Sequence, residues 1–312
     1  MDIWKSEVWK DKYKDHNVRK GLRLKFDRGI DEELKTGFKE YCRWLRSEYT
    51  FPIRVPVYVK NFKKIKAMDG EYVFGTFLGP FNFLEEPYVR VAAGDFKESF
   101  EEMGEQAVYQ YLCTLTHELT HYFQWLNNSE LTQIGKERQA TITADRIVQR
   151  YVDAKYEEKQ QFLHKLEQRA KRRELNESEI DKLRKIAFED DVNNKILIAR
   201  ILEESKLIES EKILLHLTKD IDDVVRMEAC NALSNSDSLE VYEALKKIAS
   251  KDSVGMVRGY AIVALGDVAV EINKEKEATK FLKNLLKREK SDFAMIDIWA
   301  VLYCLGDNII II

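Results

Sequence analysis

DDVVRMEACNAL, residues 222–233, determines the fold of the last third of the chain, because its pattern returns at residues 254–265 as VGMVRGYAIVAL. Each copy has Val-Arg near its start and two alanines followed by a leucine at matching later positions. Small residues allow two helices to approach closely, and one helix pair cannot bury its apolar face alone. The pattern therefore predicts helix pairs that stack on one another.

The repeated segments, residues 222–233 and 254–265, resemble HEAT repeats through D-x-x-V-R, complete at 222–226 and kept as V-R at 257–258, and through A-x-x-A-L in both copies. The resemblance extends over residues 190–312 and is looser in the outer copies. It implies a C-terminal α-solenoid of HEAT-like repeats that binds a protein partner, or in some members nucleic acid. A purely structural helical domain is the alternative.

Upstream of the repeats, residues 153–189 are rich in Lys, Arg, Glu and Gln and have few apolar positions. This composition is typical of solvated helices, so we predict a charged helical connector. A basic nucleic-acid site at Lys171, Arg172 and Arg173 is the alternative. The whole chain has 51 Lys and Arg against 54 Asp and Glu, a formal net charge of −3, which does not favour nucleic-acid binding.

Strand-like sequence is concentrated before residue 96. Residues 55–59, 72–78 and 88–92 are rich in β-branched and aromatic side chains and are separated by Gly, Pro and Asn. They predict a small antiparallel or mixed sheet, and helical spacing follows over residues 105–126 and 136–152. We therefore expect an α+β, mostly helical protein, with a small-sheet domain at residues 1–152, the connector at 153–189 and the repeats at 190–312.

The predicted helix at residues 105–126 contains an H-E-x-x-H motif, His117-Glu118-Leu119-Thr120-His121. His117 and His121 lie one turn apart on one helix face, so both imidazoles can reach one cation. A Zn²⁺ ion held by two histidines and a carboxylate keeps one position open for a water molecule and lowers the pKa of that water to about 7. We predict zinc as the cofactor, with Glu118 as the catalytic base.

A third metal ligand must come from another element, and the next helix offers two acidic residues. Glu137 begins a helix face that continues with Ala140, Thr141 and Ala144, so this face can pack against the metal-bearing helix. We therefore choose Glu137 as the third ligand. Asp145 lies about 80° from Glu137 around the helix axis and is expected to orient a histidine instead. A solvated glutamate at a helix start is the alternative for Glu137.

Residues 51–152, with their strands, the H-E-x-x-H helix and Glu137-Arg138-Gln139-Ala140, resemble the minimal zincins. They are similar to the gluzincin-type peptidases related to the ImmA/IrrE group. The resemblance covers about a third of the chain and implies a zinc metallopeptidase with two His ligands and one Glu ligand. The last-ligand region departs from the group's usual acid-Ala-x-x-Phe-Ala pattern.

Two further parts of such a site are expected. A protein substrate would lie extended along a strand, for which we choose residues 88–92. A hydrogen-bond donor opposite Glu118 would stabilise the transition state. Its candidates are Tyr122, for which aromatic packing is the alternative role, and Tyr151, Arg138 and Arg146.

The remaining composition bears on the location of the protein. The four cysteines form no C-x-x-C pair, so we expect neither a disulfide framework nor a cysteine-ligated metal. The N-terminus has no apolar signal segment, and no stretch approaches the roughly 18 apolar residues that a membrane span needs. We expect a cytoplasmic enzyme. The alternative function is a non-catalytic protein-interaction scaffold with a structural or inactive metal site.

Overall fold

The computed structural model describes residues 2–10, 19–68, 70–82, 85–189, 191–205 and 207–307. These residues are mostly helical, with a small mixed sheet near the start, in agreement with the expected fold class. The chain divides into two compact units, Met1–Glu157 and Glu158–Ile312. None of the described helices combines the length and the apolar character that crossing a membrane requires.

The described residues of the first unit form six strands: β1 (Leu22–Phe26), β2 (Val55–Lys60), β3 (Ile65–Lys66), β4 (Tyr72–Val73), β5 (Gly75–Leu78) and β6 (Tyr88–Ala92). Four of them form one sheet in the order β1-β2-β6-β5. Strand β2 is parallel to both β1 and β6, and β5 is antiparallel to β6. Strands β3 and β4 form a separate antiparallel pair.

The sheet differs from the sequence-based prediction in three respects. Strand β1 was not predicted, although Leu22, Leu24 and Phe26 alternate with the exposed Arg23 and Lys25 as in a half-buried strand. The predicted strand at residues 72–78 is divided into β4 and β5, which pair with different partners. Strand β6 lies between β2 and β5, so both of its edges are occupied and the choice of residues 88–92 for an extended substrate is wrong. In the described part of the chain, β5 is the strand beside β6 with a free edge.

In the part of this unit that the structure describes, four α-helices begin: α1 (Glu32–Glu48), α2 (Phe96–Met103), α3 (Glu105–Leu126) and α4 (Gln133–Ala170), the last of which continues into the second unit. The helix predicted over residues 105–126 is confirmed as α3, whereas the helix predicted over 136–152 is part of the longer α4. Apolar residues of α3 pack with those of the sheet in one core, which includes Leu115, Leu119, Val57 and Val89. This packing fixes α3 against the sheet.

Eight further helices are described in the second unit between residues 177 and 304: α5 (Glu177–Glu189), α6 (Val192–Glu203), α7 (Ile208–Leu217), α8 (Asp223–Ala232), α9 (Leu239–Lys251), α10 (Gly255–Glu271), α11 (Glu275–Leu286) and α12 (Asp292–Cys304). Helices α6, α8, α10 and α12 contact one another in succession. Each of α8, α10 and α12 also packs against the helix that precedes it. The two sequence copies at 222–233 and 254–265 therefore supply equivalent helices, α8 and the first part of α10.

The predicted connector is divided by the boundary between the two units, which lies between Glu157 and Glu158. Leu163, Leu166 and Leu183, all from the predicted connector, lie in the hydrophobic core of the second unit. Lys171 in the same segment pairs with Glu167 at 2.8 Å on the surface.

The arginine of each sequence copy makes the same set of contacts. Arg226 donates two hydrogen bonds to the Asp252 carboxylate, at 2.9 and 3.1 Å, and Arg258 donates two to Glu289, at 2.8 and 2.5 Å. Both guanidinium groups also donate to a backbone carbonyl six residues earlier, at Asp220 and Asp252 respectively. The repeated arginine thus joins successive helix pairs through charge-assisted bonds.

We expect Arg258→Ala to destabilise the second unit by about 3–5 kcal/mol, because it leaves the Glu289 carboxylate buried without its cation. The Glu289 side chain is only 4% exposed. Arg200→Ala is the matched control, since Arg200 is 59% exposed where it pairs with Glu228 and should contribute less than about 1 kcal/mol. Urea unfolding of the full chain, followed by circular dichroism, measures both effects. Equal midpoints for the two variants would contradict the assigned role of the pair.

The pH dependence of this difference is a second readout. Hydrogen bonding from Arg258 lowers the pKa of Glu289 to about 2, from an ordinary value of 4.5. The stabilisation is therefore complete above the ordinary pKa and is lost as the pH falls towards the folded-state pKa. Wild type and Arg258→Ala should differ less at about pH 3 than at pH 7.

Candidate functional site

Helix α3 brings the two histidines of the H-E-x-x-H motif together. The Nε2 atoms of His117 and His121 are 3.1 Å apart, and both side chains are partly exposed. The opposite side of α3 is anchored in the core, where the Trp4 indole N–H donates to Thr120 Oγ1 at 3.0 Å. The hydroxyl groups of Tyr41 and Thr116 also share a hydrogen bond of 2.6 Å. These anchors fix the direction in which the histidines point.

Helix α4 supplies the carboxylate chosen as the third ligand. Glu137 Oε2 is 3.2 Å from His117 Nε2, and Glu137 Oε1 is 3.5 Å from His121 Nε2. The three side chains offer ligand atoms that all lie within 4.8 Å of one another. Gln133, one turn earlier, donates to Glu137 Oε1 at 3.0 Å. The structure therefore places together the three residues that were predicted as ligands.

The distances between these ligand atoms fit a single zinc ion. Two atoms that each lie about 2.0–2.1 Å from a tetrahedral zinc ion are about 3.3–3.4 Å apart. The observed separations of 3.1, 3.2 and 3.5 Å bracket this value. Burial, followed by the neighbouring His121, lowers the pKa of His117, which favours the neutral imidazole that a metal needs. Two imidazoles and one carboxylate form a donor set that suits Zn²⁺.

Glu118 lies next to this cluster and is buried, with 7% of its surface exposed. Burial and, secondly, the charge of Glu137 raise the pKa of Glu118 to about 8. Its carboxylate packs against Gly75 in strand β5, where a Cβ atom would lie 2.6 Å from Glu118 Oε1. Glycine at this position lets the strand approach the glutamate closely.

A cleft of about 1290 Å³ opens over the cluster. His117, Glu118, His121 and Glu137 all line it, together with all four residues of β5. Apolar side chains extend the cleft along the strand, among them Leu78, Phe81 and Trp125. The cleft therefore contains the candidate metal site, the buried Glu118 carboxylate and the free edge of strand β5.

Asp145 does not have the predicted role of orienting a histidine. Its carboxylate lines the cleft and accepts a hydrogen bond from the Tyr109 hydroxyl at 2.8 Å. The Nδ1 atom of His121 is contacted by the side-chain amide of Gln124 instead, whose Oε1 lies 2.8 Å away. Sequence reasoning missed Gln124, although its position three residues after His121 places it on the same side of α3.

The predicted transition-state donors lie away from the cleft. Tyr122 is fully buried, and its hydroxyl group donates to the Ile53 carbonyl at 2.8 Å, which agrees with the alternative packing role. Tyr151 packs against Tyr41 at a ring-centroid distance of 4.9 Å. None of the four candidates, Arg138 and Arg146 included, is among the described residues that line the cleft. Arg90 and Lys136 are the basic residues that line it in the described part of the chain.

Helices α10 and α12 of the second unit each carry exposed apolar side chains. On α10 the exposed positions recur at helical spacing at Met256, Tyr260, Val263 and Val270. On α12 they are Phe293, Ile296 and Tyr303. Exposed apolar side chains that share one face are typical of a surface that contacts another protein.

Comparisons with known proteins match the repeats alone. A family model of HEAT repeats matches residues 180–266, which include both sequence copies. No curated protein and no solved structure matches the chain. The matched residues begin in α5 and end in α10, within the second unit. The chain therefore contains HEAT repeats at residues 180–266.

Proposed function

We propose that the first unit is a zinc-dependent metallopeptidase and that the HEAT repeats recruit its protein substrate or a protein partner. The observation that carries the proposal is the meeting of His117, His121 and Glu137 at one cleft, beside the buried carboxylate of Glu118. This geometry supports the resemblance of residues 51–152 to the minimal zincins.

In this proposal His117, His121 and Glu137 hold the zinc ion. When bound there, zinc would act as a Lewis acid for the scissile carbonyl and would lower the pKa of a water molecule. A cation at that site would favour the ionised form of Glu118, and the Glu118 carboxylate would then accept a proton from water and deliver it to the leaving amine. Glu118 lines the cleft, so its carboxylate is placed to exchange a proton with water or with a substrate there.

The substrate in this proposal is an extended polypeptide that pairs with the free edge of β5. Backbone pairing along a strand edge holds a peptide without requiring a particular sequence. Strand β5 is antiparallel to β6 and lies directly against Glu118 through Gly75. The apolar lining at Leu78, Phe81 and Trp125 favours substrates with apolar side chains near the cleaved bond.

The proposal is tested by measuring zinc and hydrolysis in the same preparation. Elemental mass spectrometry of the purified protein should give about one zinc per chain. The same protein should cleave members of an unbiased peptide library, and the cut sites are identified by mass spectrometry. A chelator should stop the cleavage, and added zinc should restore it. Failure to take up zinc would overturn the proposal.

The second candidate is a non-catalytic protein-interaction scaffold. It is favoured by the family match, which covers HEAT repeats alone, and by the exposed apolar side chains of α10 and α12. Structural zinc sites, however, close the metal with four protein ligands. Among the described residues three candidate ligands gather, and they line an open cleft. Zinc uptake without hydrolysis of any library peptide would favour the scaffold.

Gly75→Ala should lower kcat/KM by about 10–100-fold with zinc retained, because a displacement of about 1 Å at a catalytic group costs about that much. The added Cβ would lie 2.6 Å from Oε1 and 2.7 Å from Cγ of Glu118 and so displace its side chain. Gly135→Ala is the matched control, since its nearest contact would be 3.3 Å. Hydrolysis of a peptide identified from the library measures both variants. Unchanged kcat/KM in Gly75→Ala would contradict the close contact between strand and base.

A further inference from the structure

Gln124 is a buried amide that connects the two helices of the candidate metal site. Its side chain is 3% exposed. Oε1 lies 2.8 Å from His121 Nδ1, and Nε2 donates to the Lys136 carbonyl at 2.9 Å and to Gln139 Oε1 at 3.0 Å. Every polar atom of this amide therefore has a partner, and the partners come from α3 and from the start of α4.

These contacts fix the orientation of the amide. A backbone carbonyl can accept a hydrogen bond and cannot donate one, so the nitrogen of Gln124 must face Lys136. The oxygen of Gln124 must then face His121 Nδ1. An amide oxygen can accept and cannot donate, so Nδ1 of His121 carries the proton. The Nε2 atom of His121 consequently has a free lone pair, and it points towards His117 and Glu137.

We infer that Gln124 is a positioning residue that sets the tautomer of His121 and ties this imidazole to the backbone beside Glu137. Lys136 immediately precedes Glu137, so one side chain orients two of the three candidate ligands from two different helices. The inference rests on the proposed metallopeptidase function, and it extends that function to a residue that never touches the metal.

The physical reason for such a residue lies in the geometry of the site. A histidine can bind a metal through Nε2 only when that nitrogen is unprotonated, and a hydrogen bond at Nδ1 selects this form. A leucine at position 124 would fill a similar volume but would accept nothing from His121. It would also leave the Lys136 carbonyl without the donor that holds the start of α4. Both ligands would then lose part of their orientation.

The test uses the full-length protein as wild type, as Gln124→Leu and as Gln110→Leu. Gln110 lies on the same helix α3 but is exposed and away from the cleft, so its variant is the control. Competition with a chromophoric chelator gives the zinc dissociation constant of each. We expect about 10–100-fold weaker zinc binding in Gln124→Leu, the range found for partners that orient metal-bound histidines. Gln110→Leu should bind zinc as the wild type does.

The tautomer of His121 is measured separately, by ¹⁵N NMR of the metal-free wild type. A protonated Nδ1 is expected, and an unprotonated Nδ1 would overturn the inference even if Gln124→Leu fails to fold. Zinc affinity within twofold of wild type in a folded Gln124→Leu protein would also overturn it. If the wild type binds no zinc, the metallopeptidase proposal fails on its own, and the NMR result still decides whether Gln124 sets the tautomer.

Discussion

Glu118→Gln is expected to lower kcat for peptide hydrolysis by about 10²–10⁴-fold, the usual contribution of a general acid–base group. Glutamine has nearly the same shape as glutamate, so it should fit the space against Gly75 without displacing β5. Its amide cannot accept the proton of a metal-bound water or deliver one to the leaving amine. Glu118 is not a ligand in the proposed site, so zinc content should stay at one per chain.

The measurement pairs initial rates with zinc content on the same samples. Glu105→Gln is the control, because Glu105 is an exposed glutamate in the first turn of the same helix α3. It should retain the wild-type rate and zinc content. A Glu118→Gln protein that binds zinc and cleaves peptides at the wild-type rate would eliminate Glu118 as the base. Loss of zinc in this variant would instead mean that the glutamate is a ligand.

The histidine pair and the small-residue helix face that begins at Glu137 could be predicted from the sequence, because each depends on the geometry of one helix. His117 and His121 are four residues apart, so any helix places them on one face. Glu137 begins a face of small residues, which allows close approach of a second helix. The structure brings the three together as this reasoning expected. The repeats could also be predicted because the sequence copies at 222–233 and 254–265 can be compared directly, and the match to HEAT repeats confirms them.

Features that depend on long-range contacts could not be predicted in the same way. The role of Gln124 depends on the distance between α3 and the Lys136 carbonyl, which follows from tertiary packing. The residues of strand β6 do not reveal whether its edges are paired. The strand is central because β2 and β5 both pair with it. Leu163 and Leu166 are sparse apolar residues in a charged segment, and their burial in the second unit depends on helices far along the chain.

The two acidic residues of α4 provide the test of the third ligand. Four-ligand zinc sites contribute about 10–16 kcal/mol of binding free energy, so one ligand accounts for about 2.5–4 kcal/mol. Glu137→Ala should therefore weaken zinc binding by about 10²–10³-fold, and the double variant His117→Ala, His121→Ala should abolish measurable binding. Competition with a chromophoric chelator measures each dissociation constant.

Asp145→Ala is the matched control, because Asp145 lines the same cleft on the same helix but bonds to Tyr109. Its removal should leave zinc affinity unchanged, since its carboxylate lies outside the cluster formed by His117, His121 and Glu137. The opposite pattern, with affinity lost in Asp145→Ala and kept in Glu137→Ala, would require a rearranged site with Asp145 as ligand. The contacts of the two carboxylates argue against that arrangement. Glu137 Oε2 lies 3.2 Å from His117 Nε2, whereas Asp145 accepts a hydrogen bond from the Tyr109 hydroxyl group at 2.8 Å. Equal and large losses in both variants would mean that the cleft unfolds locally, and thermal unfolding of the two proteins separates that case from loss of a ligand.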